Sequence, residues 1–462
     1  MYRFKKSAAL FMALLMTLSL MLFALPAGAE ETGFVPVLRF IAASDTHIAD
    51  NNDVNARRIE KMMGIGYEIA DGDANYNKLD AVLIAGDLTN DGTKTEFDKF
   101  WNALGGSMRE GTRFVGVVAK NHDGYKMKRT ELRDYFTDLT GADADFHAVI
   151  NGYHFIGLSA SKNDAQHYDA SQLVWLKQQL DAAVKEDPNR PVFVTHHEHV
   201  RGTVYGSSLY EGWGVPYFTA ILRQYPQVVD FSGHSHYPLN DPRSLWQGKF
   251  TAVGTGAITY SEFTIDDTRT YHPADSSDTA SCWIVEVDIN NNIRLRGMDV
   301  NENACLCEYL LKNPANPENR DYIPVKRMAQ SKPPVFAEDA ALQVEPGFGA
   351  CVVTAPAAAS ADGMPIVLYR AYAKNKAGVI VETAWTLPQY YRAVEQNEIV
   401  LTLDGLAQGE YTVGVVAETA YGVQSKPVEK KITVEGKDLI LNFFHRIALF
   451  FKDMFQKIKN LF

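Results

Sequence analysis

Five short motifs, each closing an apolar run, constrain this chain more than any other feature. Ala43-Ser44-Asp45-Thr46-His47 follows Phe40–Ala42, and Ala85-Gly86-Asp87-Leu88-Thr89 follows Val82–Ile84. Asn121-His122-Asp123 follows Val115–Val118, Thr195-His196-His197 follows Val192–Val194, and Gly233-His234-Ser235-His236 follows Val228–Phe231. An isolated Asp-x-His or Gly-Asp is usually an ordinary loop, and a His closing an apolar strand is usually a satisfied core residue. Here all five sit at strand ends, where ligand sites of α/β folds collect, and together they outweigh coincidence. Asp45 and His47 read as alternating across an extended backbone, which would turn both to one side.

The surrounding pattern is that of an α/β unit. The runs Val37–Ala43, Ala81–Ala85, Phe114–Val118, Phe155–Leu158, Val192–Thr195, Val228–Phe231 and Phe250–Gly254 read as buried strands. Helical spacing intervenes, clearest over Ser171–Val184, where Leu173, Leu176 and Leu180 share a face. Residues 313–334 carry Pro314, Pro317, Pro324, Pro333 and Pro334 and read as a linker. Residues 335–435 are β in character, with Val379–Val381, Ile399–Leu403 and Tyr411–Val416 as strands between Gly-containing turns.

The motif order resembles the calcineurin-like metallophosphoesterases: Asp-x-His, Gly-Asp, Asn-His-Asp, a lone His, and Gly-His-x-His. Gln172, Trp175 and Leu176 are similar to the helix that family places before its fourth motif. The resemblance covers residues 37–300 and implies a four-layer αββα sandwich of two mixed sheets, within a catalytic domain over residues 36–312. It further implies that Asp45, His47 and His236 hold one divalent cation, that Asn121, His196 and His234 hold another, and that Asp87 bridges them. A carboxylate can bridge two cations, and neutral imidazoles bind without cancelling the cluster's charge. Mn, Fe, Zn and Co all suit such donors, and a metal pair of this kind hydrolyses phosphomonoesters or phosphodiesters. His122 matches the family's non-ligand histidine, which donates a proton to the leaving oxygen, with Asp123 structural or orienting.

Two departures stand out. Lys120 precedes Asn121 where the family has Gly, so a positive φ there would strain the backbone; alternatively Lys120 reaches a substrate phosphate. Asn90 stands where purple acid phosphatases place an iron-binding Tyr, so no violet chromophore is expected. His197 reads as structural, because neighbours on a strand point opposite ways, while His199 is placed at the pocket. His147, His154, His167, His272 and His445 read as structural. The aromatic stretch Arg201–Tyr217 reads either as a rim of the site or as a self-packed loop.

Within residues 335–435, Leu403–Leu406, Gly409–Val413 and Ala420–Gly422 resemble part of a fibronectin type III module, with Tyr411 as its corner. Residues 437–462 read as an amphipathic helix, with Ile440, Phe443, Phe444, Ile447 and Phe451 on one face and Arg446, Lys452, Lys457 and Lys459 opposite. Such a helix fits either a membrane surface or a protein surface. Residues 1–29 read as a signal peptide: Arg3, Lys5 and Lys6, an apolar run from Ala8 to Leu25, then Ala27-Gly28-Ala29. A secreted or cell-surface protein is therefore expected, with an uncleaved anchor as the alternative. The net charge of −11 disfavours nucleic acid as a partner, so the expected partner is a small phosphorylated substrate. Two other readings stand beside the hydrolase: an extracellular nucleotidase, and a surface adhesion protein with a vestigial metal site. Cys282, Cys305, Cys307 and Cys351 allow three pairings, none selected by sequence.

Overall fold

A computed structural model describes residues 33–163, 167–210, 213–265 and 268–435. The signal segment and the 437–462 helix expected above lie outside the described residues.

Twelve strands build two mixed sheets in the α/β unit: β1 (Pro36–Ala43), β2 (Ala81–Ala85), β3 (Arg113–Val117), β4 (Phe146–Ile150), β5 (Tyr153–Gly157), β6 (Val192–Thr195), β7 (Val228–Ser232), β8 (Leu245–Gln247), β9 (Thr251–Gly254), β10 (Ser281–Asp288), β11 (Ile293–Asp299) and β12 (Ala304–Leu311). The first sheet runs β12-β11-β10-β1-β2-β3 and the second β8-β9-β7-β6-β5-β4. In each, the strands that emit the motifs are parallel, β1 to β2 to β3 and β5 to β6 to β7 to β9. Their C-terminal ends therefore open on the same side of each sheet.

Alternation along the strands explains the layers. Phe40 and Ala42 of β1 face the second sheet, and Ile41 and Ala43 face helices. Phe40 lies edge-on to Phe155, Phe193 and Phe231, with centroids 5.1, 4.9 and 5.8 Å away. Full burial of such a ring contributes about 1.5–3 kcal/mol. On the outer face of the first sheet pack α1 (Val54–Gly72), α2 (Lys94–Ser107) and α3 (Arg129–Thr140), through Ile59, Met62, Phe97, Phe100, Leu132 and Phe136. On the outer face of the second sheet pack α4 (Ala170–Glu186) and α5 (Tyr217–Leu222), through Leu176, Leu180, Phe218 and Leu222. A reciprocal box between Thr93 and Glu96 starts α2 directly after the Asp87 loop.

Residues 313–334 are not a free spacer. They hold a short helix, α6 (Pro324–Gln330), and buried Arg320 and Arg327 donate to carbonyls of the α/β unit, Lys249 and Pro242 among them. Seven further strands form the C-terminal unit: β13 (Gln343–Pro346), β14 (Ala350–Pro356), β15 (Ile366–Asn375), β16 (Ile380–Thr386), β17 (Glu398–Asp404), β18 (Gly409–Thr419) and β19 (Val428–Val434). They make sheets ordered β13-β14-β17 and β16-β15-β18-β19 around a core containing Val353, Tyr369, Leu401 and Val413. The hydroxyl of Tyr411 donates to the Ala407 carbonyl four residues upstream, 2.9 Å away. All four cysteines are free thiols.

Candidate metal centre

The loops after β1, β2, β3, β6 and β7 converge above the two sheets. Backbone bonds tie the first two together: Asp45 N–H donates to Gly86 O, His47 N–H to Asp87 O and Ile48 N–H to Leu88 O, each at 3.1 Å. Asp45 (φ 52°), His47 (41°), Asp87 (50°), His234 (73°) and His236 (55°) all lie in the left-handed region. They are five of the eight non-glycine residues so placed among the described residues, and the other three are asparagines. Each costs on the order of 1 kcal/mol, so the strain is concentrated where side chains are being aimed. Asp45 and His47 do reach one cluster, but through a kinked backbone rather than an extended one. Lys120 has no positive φ, so its side chain strains nothing there.

Asp87 is the centre. Its Oδ2 lies 2.9 Å from Asn121 Nδ2, 3.1 Å from His197 Nε2 and 3.6 Å from His47 Nε2. On one side, His236 Nε2 is 3.1 Å from Asp45 Oδ1 and 3.2 Å from His47 Nε2. On the other, His234 Nδ1 is 3.1 Å from His197 Nε2 and 3.4 Å from Asn121 Nδ2. Two clusters result, Asp45–His47–His236 and Asp87–His197–His234, with Asp87 also grouped with His47 and His122.

The fourth motif needs correction. His196 does not enter the cluster; His197 does. Val192 and Val194 of β6 face α4 and α5 while Phe193 faces the other sheet. Continuing that alternation puts His196 on the helix side, stacked on Phe218 at 4.3 Å with Nε2 2.9 Å from buried Asp230. His197 emerges on the site side. Its Nδ1 meets the Ala85 carbonyl at 2.9 Å, which turns Nε2 to the cluster, and its backbone N–H is held by the Tyr168 hydroxyl. Gly86 is required beneath it, with φ +84° and a Cβ that would lie 2.8 Å from the imidazole. At Gly233 a Cβ would fall 2.4 Å from Asp45 Oδ2.

Around this core, His122 Nδ1 lies 2.7 Å from the carbonyl of Asn90, and its ring stands 4.2 Å from that of His47. Asp123 does not orient His122. It accepts from Thr89 N–H and hydroxyl and from Ala119 N–H, each at 2.9 Å, and so splices the second and third loops. Burial, with the Asp87 charge, pushes its pKa up to about 7. His199 bridges Ser232 and Ser235 rather than facing the pocket, and burial pushes it down to about 3. Buried Glu198, which sequence reasoning passed over, holds His167 and Tyr168, both at 2.7 Å. The Arg201–Tyr217 stretch divides: Tyr205 is buried against Tyr237, whereas Trp213 stands 5.7 Å from His234 at the rim. Tyr260, 4.3 Å from His236, and Tyr125, 4.8 Å from His122 and 60% exposed, complete an aromatic margin.

The donor set suits divalent cations. Neighbouring donors stand 3.1–3.6 Å apart, close to the edge of a polyhedron built on metal–ligand bonds of about 2.0–2.2 Å. Asp87 Oδ1 and Asn121 Oδ1 are buried without hydrogen-bond partners, acceptors that a cation would satisfy. Burial opposes ionisation of Asp45, yet the charge of His236, with hydrogen bonds from His236 and His47, holds its pKa well below the ordinary value. Burial likewise disfavours a charge on His197, but Asp87 and Asp45 raise its pKa well above the usual one. Burial instead lowers the pKa of His47, and that of His234 to about 4, so the carboxylates hold negative charge that a cation would offset.

Residues 38–238 match the family model of the calcineurin-like phosphoesterases, and the chain carries a domain of that family there. No curated protein matches the chain. Among solved structures it is similar to a purple acid phosphatase from yellow lupin (Lupinus luteus) seeds, at 14% identity and a TM-score of 0.43 over 59% of this chain and 53% of that one. It thus spans about half the length of the lupin chain. A putative 5'-nucleotidase from Staphylococcus aureus is similar at 11% identity and a TM-score of 0.33, over 79% of this chain and 82% of that one. A 5'-nucleotidase precursor from Thermus thermophilus is similar at 13% identity and a TM-score of 0.29, over 86% of this chain and 88% of that one.

Proposed function

We propose that the protein is an exported, two-metal phosphoric ester hydrolase. The observation that carries this reading is the position of Asp87, whose carboxylate stands between two groups of buried and half-buried nitrogen and oxygen donors. Asp45, His47, Asp87 and His236 would hold one cation; Asp87, Asn121, His197 and His234 would hold the other. Once bound, such a pair supplies Lewis acidity to the phosphoryl oxygens and a lowered pKa to water. The chain's own part is placement. Backbone bonds and glycine clearances fix the donors, and rings of Tyr260, Trp213 and Tyr125 narrow the mouth. His122, anchored at Nδ1 by the Asn90 carbonyl, presents its imidazole beside the cluster and delivers a proton to the leaving alcohol oxygen.

Export rests on the basic, apolar and small-residue succession of residues 1–29. Among the described residues no helix is long and apolar enough to cross a membrane. The seven-strand C-terminal unit, with its Tyr411 bond, fits the fibronectin type III-like reading. Turnover of p-nitrophenyl phosphate and bis-p-nitrophenyl phosphate, with metal added after chelation, tests the activity. Hydrolysis that returns with Mn, Zn, Fe or Co and is lost in Asp87→Asn supports it. A metal-loaded protein that hydrolyses neither ester overturns it.

A further inference from the structure

The C-terminal sandwich reaches the rim of the metal centre through the turn between β16 and β17. Asp275 of the α/β unit accepts from Gln389 Nε2 and the Tyr391 hydroxyl, both at 2.8 Å, and faces Arg392 Nη1 at 3.4 Å. Arg392 also stands 3.6 Å from Glu302, Ala393 N–H donates to Asp299, and the Tyr391 ring packs 4.6 Å from Phe263. Within the α/β unit the connections continue toward the metal donors. Asp278 N–H donates to Asp275 O, Ser261 N–H to Ser276 O, Glu262 N–H to His236 O and Thr259 N–H to Asp45 O. Arg58 of α1 braces the same stretch, donating to the carbonyls of Ile258, Thr259 and Ser277.

Between these braces lies a groove of about 490 Å³ whose lining includes Asn52, Asn55, Thr259, Tyr260, His272 and Ser277. It shares a wall with the cluster: Tyr260 is tilted against His236 at 4.3 Å and against His272 at 5.6 Å, and Asn55 donates to the His47 carbonyl. Its cationic groups are committed, and its one carboxylate, Asp278, is exposed. Arg58 is spent on carbonyls, and His272 stands 3.4 Å from Glu262. What the groove offers is an aromatic ring, neutral amides and hydroxyls, and the Asp278 carboxylate, which suit an uncharged ring-bearing group and not a second phosphate.

We propose that the sandwich builds the substrate-selecting wall: Gln389, Tyr391 and Arg392 are positioning residues that, through Asp275, set the 272–278 loop against Tyr260. The groove so formed takes the uncharged, ring-bearing substituent of a phosphate ester. The proposal rests on the phosphoesterase reading above. Its test uses the full-length, Mn-loaded protein and titration calorimetry with two probes, orthophosphate and non-hydrolysable phenylphosphonate. The wild type is expected to bind phenylphosphonate about tenfold tighter than orthophosphate, the margin a stacked ring supplies. Tyr391→Phe, which removes one hydroxyl, should erase most of that margin while orthophosphate binding stays unchanged; Tyr260→Ala should bring the ratio of the two affinities close to one, and Tyr260→Phe should restore it. Equal affinities in the wild type, or a parallel loss for both probes in Tyr391→Phe, would overturn the wall and leave the hydrolase standing. A wild type that binds neither probe would remove both.

Discussion

The exchange of His196 for His197 gives the sharpest prediction, because the two neighbours should fail in opposite ways. Replacing His197 by Ala removes a nitrogen 3.1 Å from both Asp87 and His234, leaving that side of the cluster with Asp87, His234 and Asn121. Replacing His196 by Ala touches no donor of the cluster but leaves Asp230, itself fully buried, without the imidazole 2.9 Å away. Deleting a fully buried ring stacked on Phe218 leaves a cavity and costs about 3–5 kcal/mol, as for other large core rings. With an unfolding entropy near 2.1 cal/mol/K per residue and about 280 residues in the α/β unit, that cost lowers Tm by roughly 5–9 °C. The assay is metal content by elemental analysis beside thermal unfolding in a chelator. His197→Ala should retain about one equivalent of metal per chain rather than two, whereas His196→Ala should retain both and melt lower. A His196→Ala protein short of metal beside a fully loaded His197→Ala protein would refute the assignment.

Two further outcomes follow from the same geometry, and a third from the sequence of residues 437–462. His122→Ala should lower turnover by about 10²–10⁴-fold with metal content unchanged, since His122 is anchored by Asn90 and serves as proton donor; a change below about tenfold would exclude that role. Gly86→Ala should cost metal affinity, because its φ of +84° and a Cβ 2.8 Å from His197 force that imidazole to move, and competition with a chromophoric chelator reads the loss. Deleting residues 437–462 should abolish binding to anionic liposomes and leave turnover unchanged; equal liposome binding by the shortened chain would count against a membrane-surface role.

Much of this architecture was legible because parallel strands buried on both faces leave unbroken apolar runs, as at Val192–Thr195 and Val228–Phe231. The same property hid the facing of His196 and His197: with both faces of β6 apolar, nothing in the sequence marks which one points to the donors. The left-handed backbone at Asp45 and His47 was equally invisible: Asp and His visit positive φ more often than most residues, yet only in a small minority of positions. Glu198 escaped notice because its role is set by Tyr168, thirty residues away in sequence. Residues 313–334 carried a spacer's composition, yet Arg320 and Arg327 anchor them to the α/β unit. The docking of Gln389, Tyr391 and Arg392 on Asp275 leaves no periodic trace, because contacts between units depend on tertiary placement alone.

Anomalous scattering from crystals grown with Mn reads whether Asp87 stands between two cations. Two peaks are expected about 3.5–4 Å apart flanking the Asp87 carboxylate, one beside His47 and His236, the other beside His197 and His234. A single peak, or density at His196 and Asp230 instead, would contradict that placement.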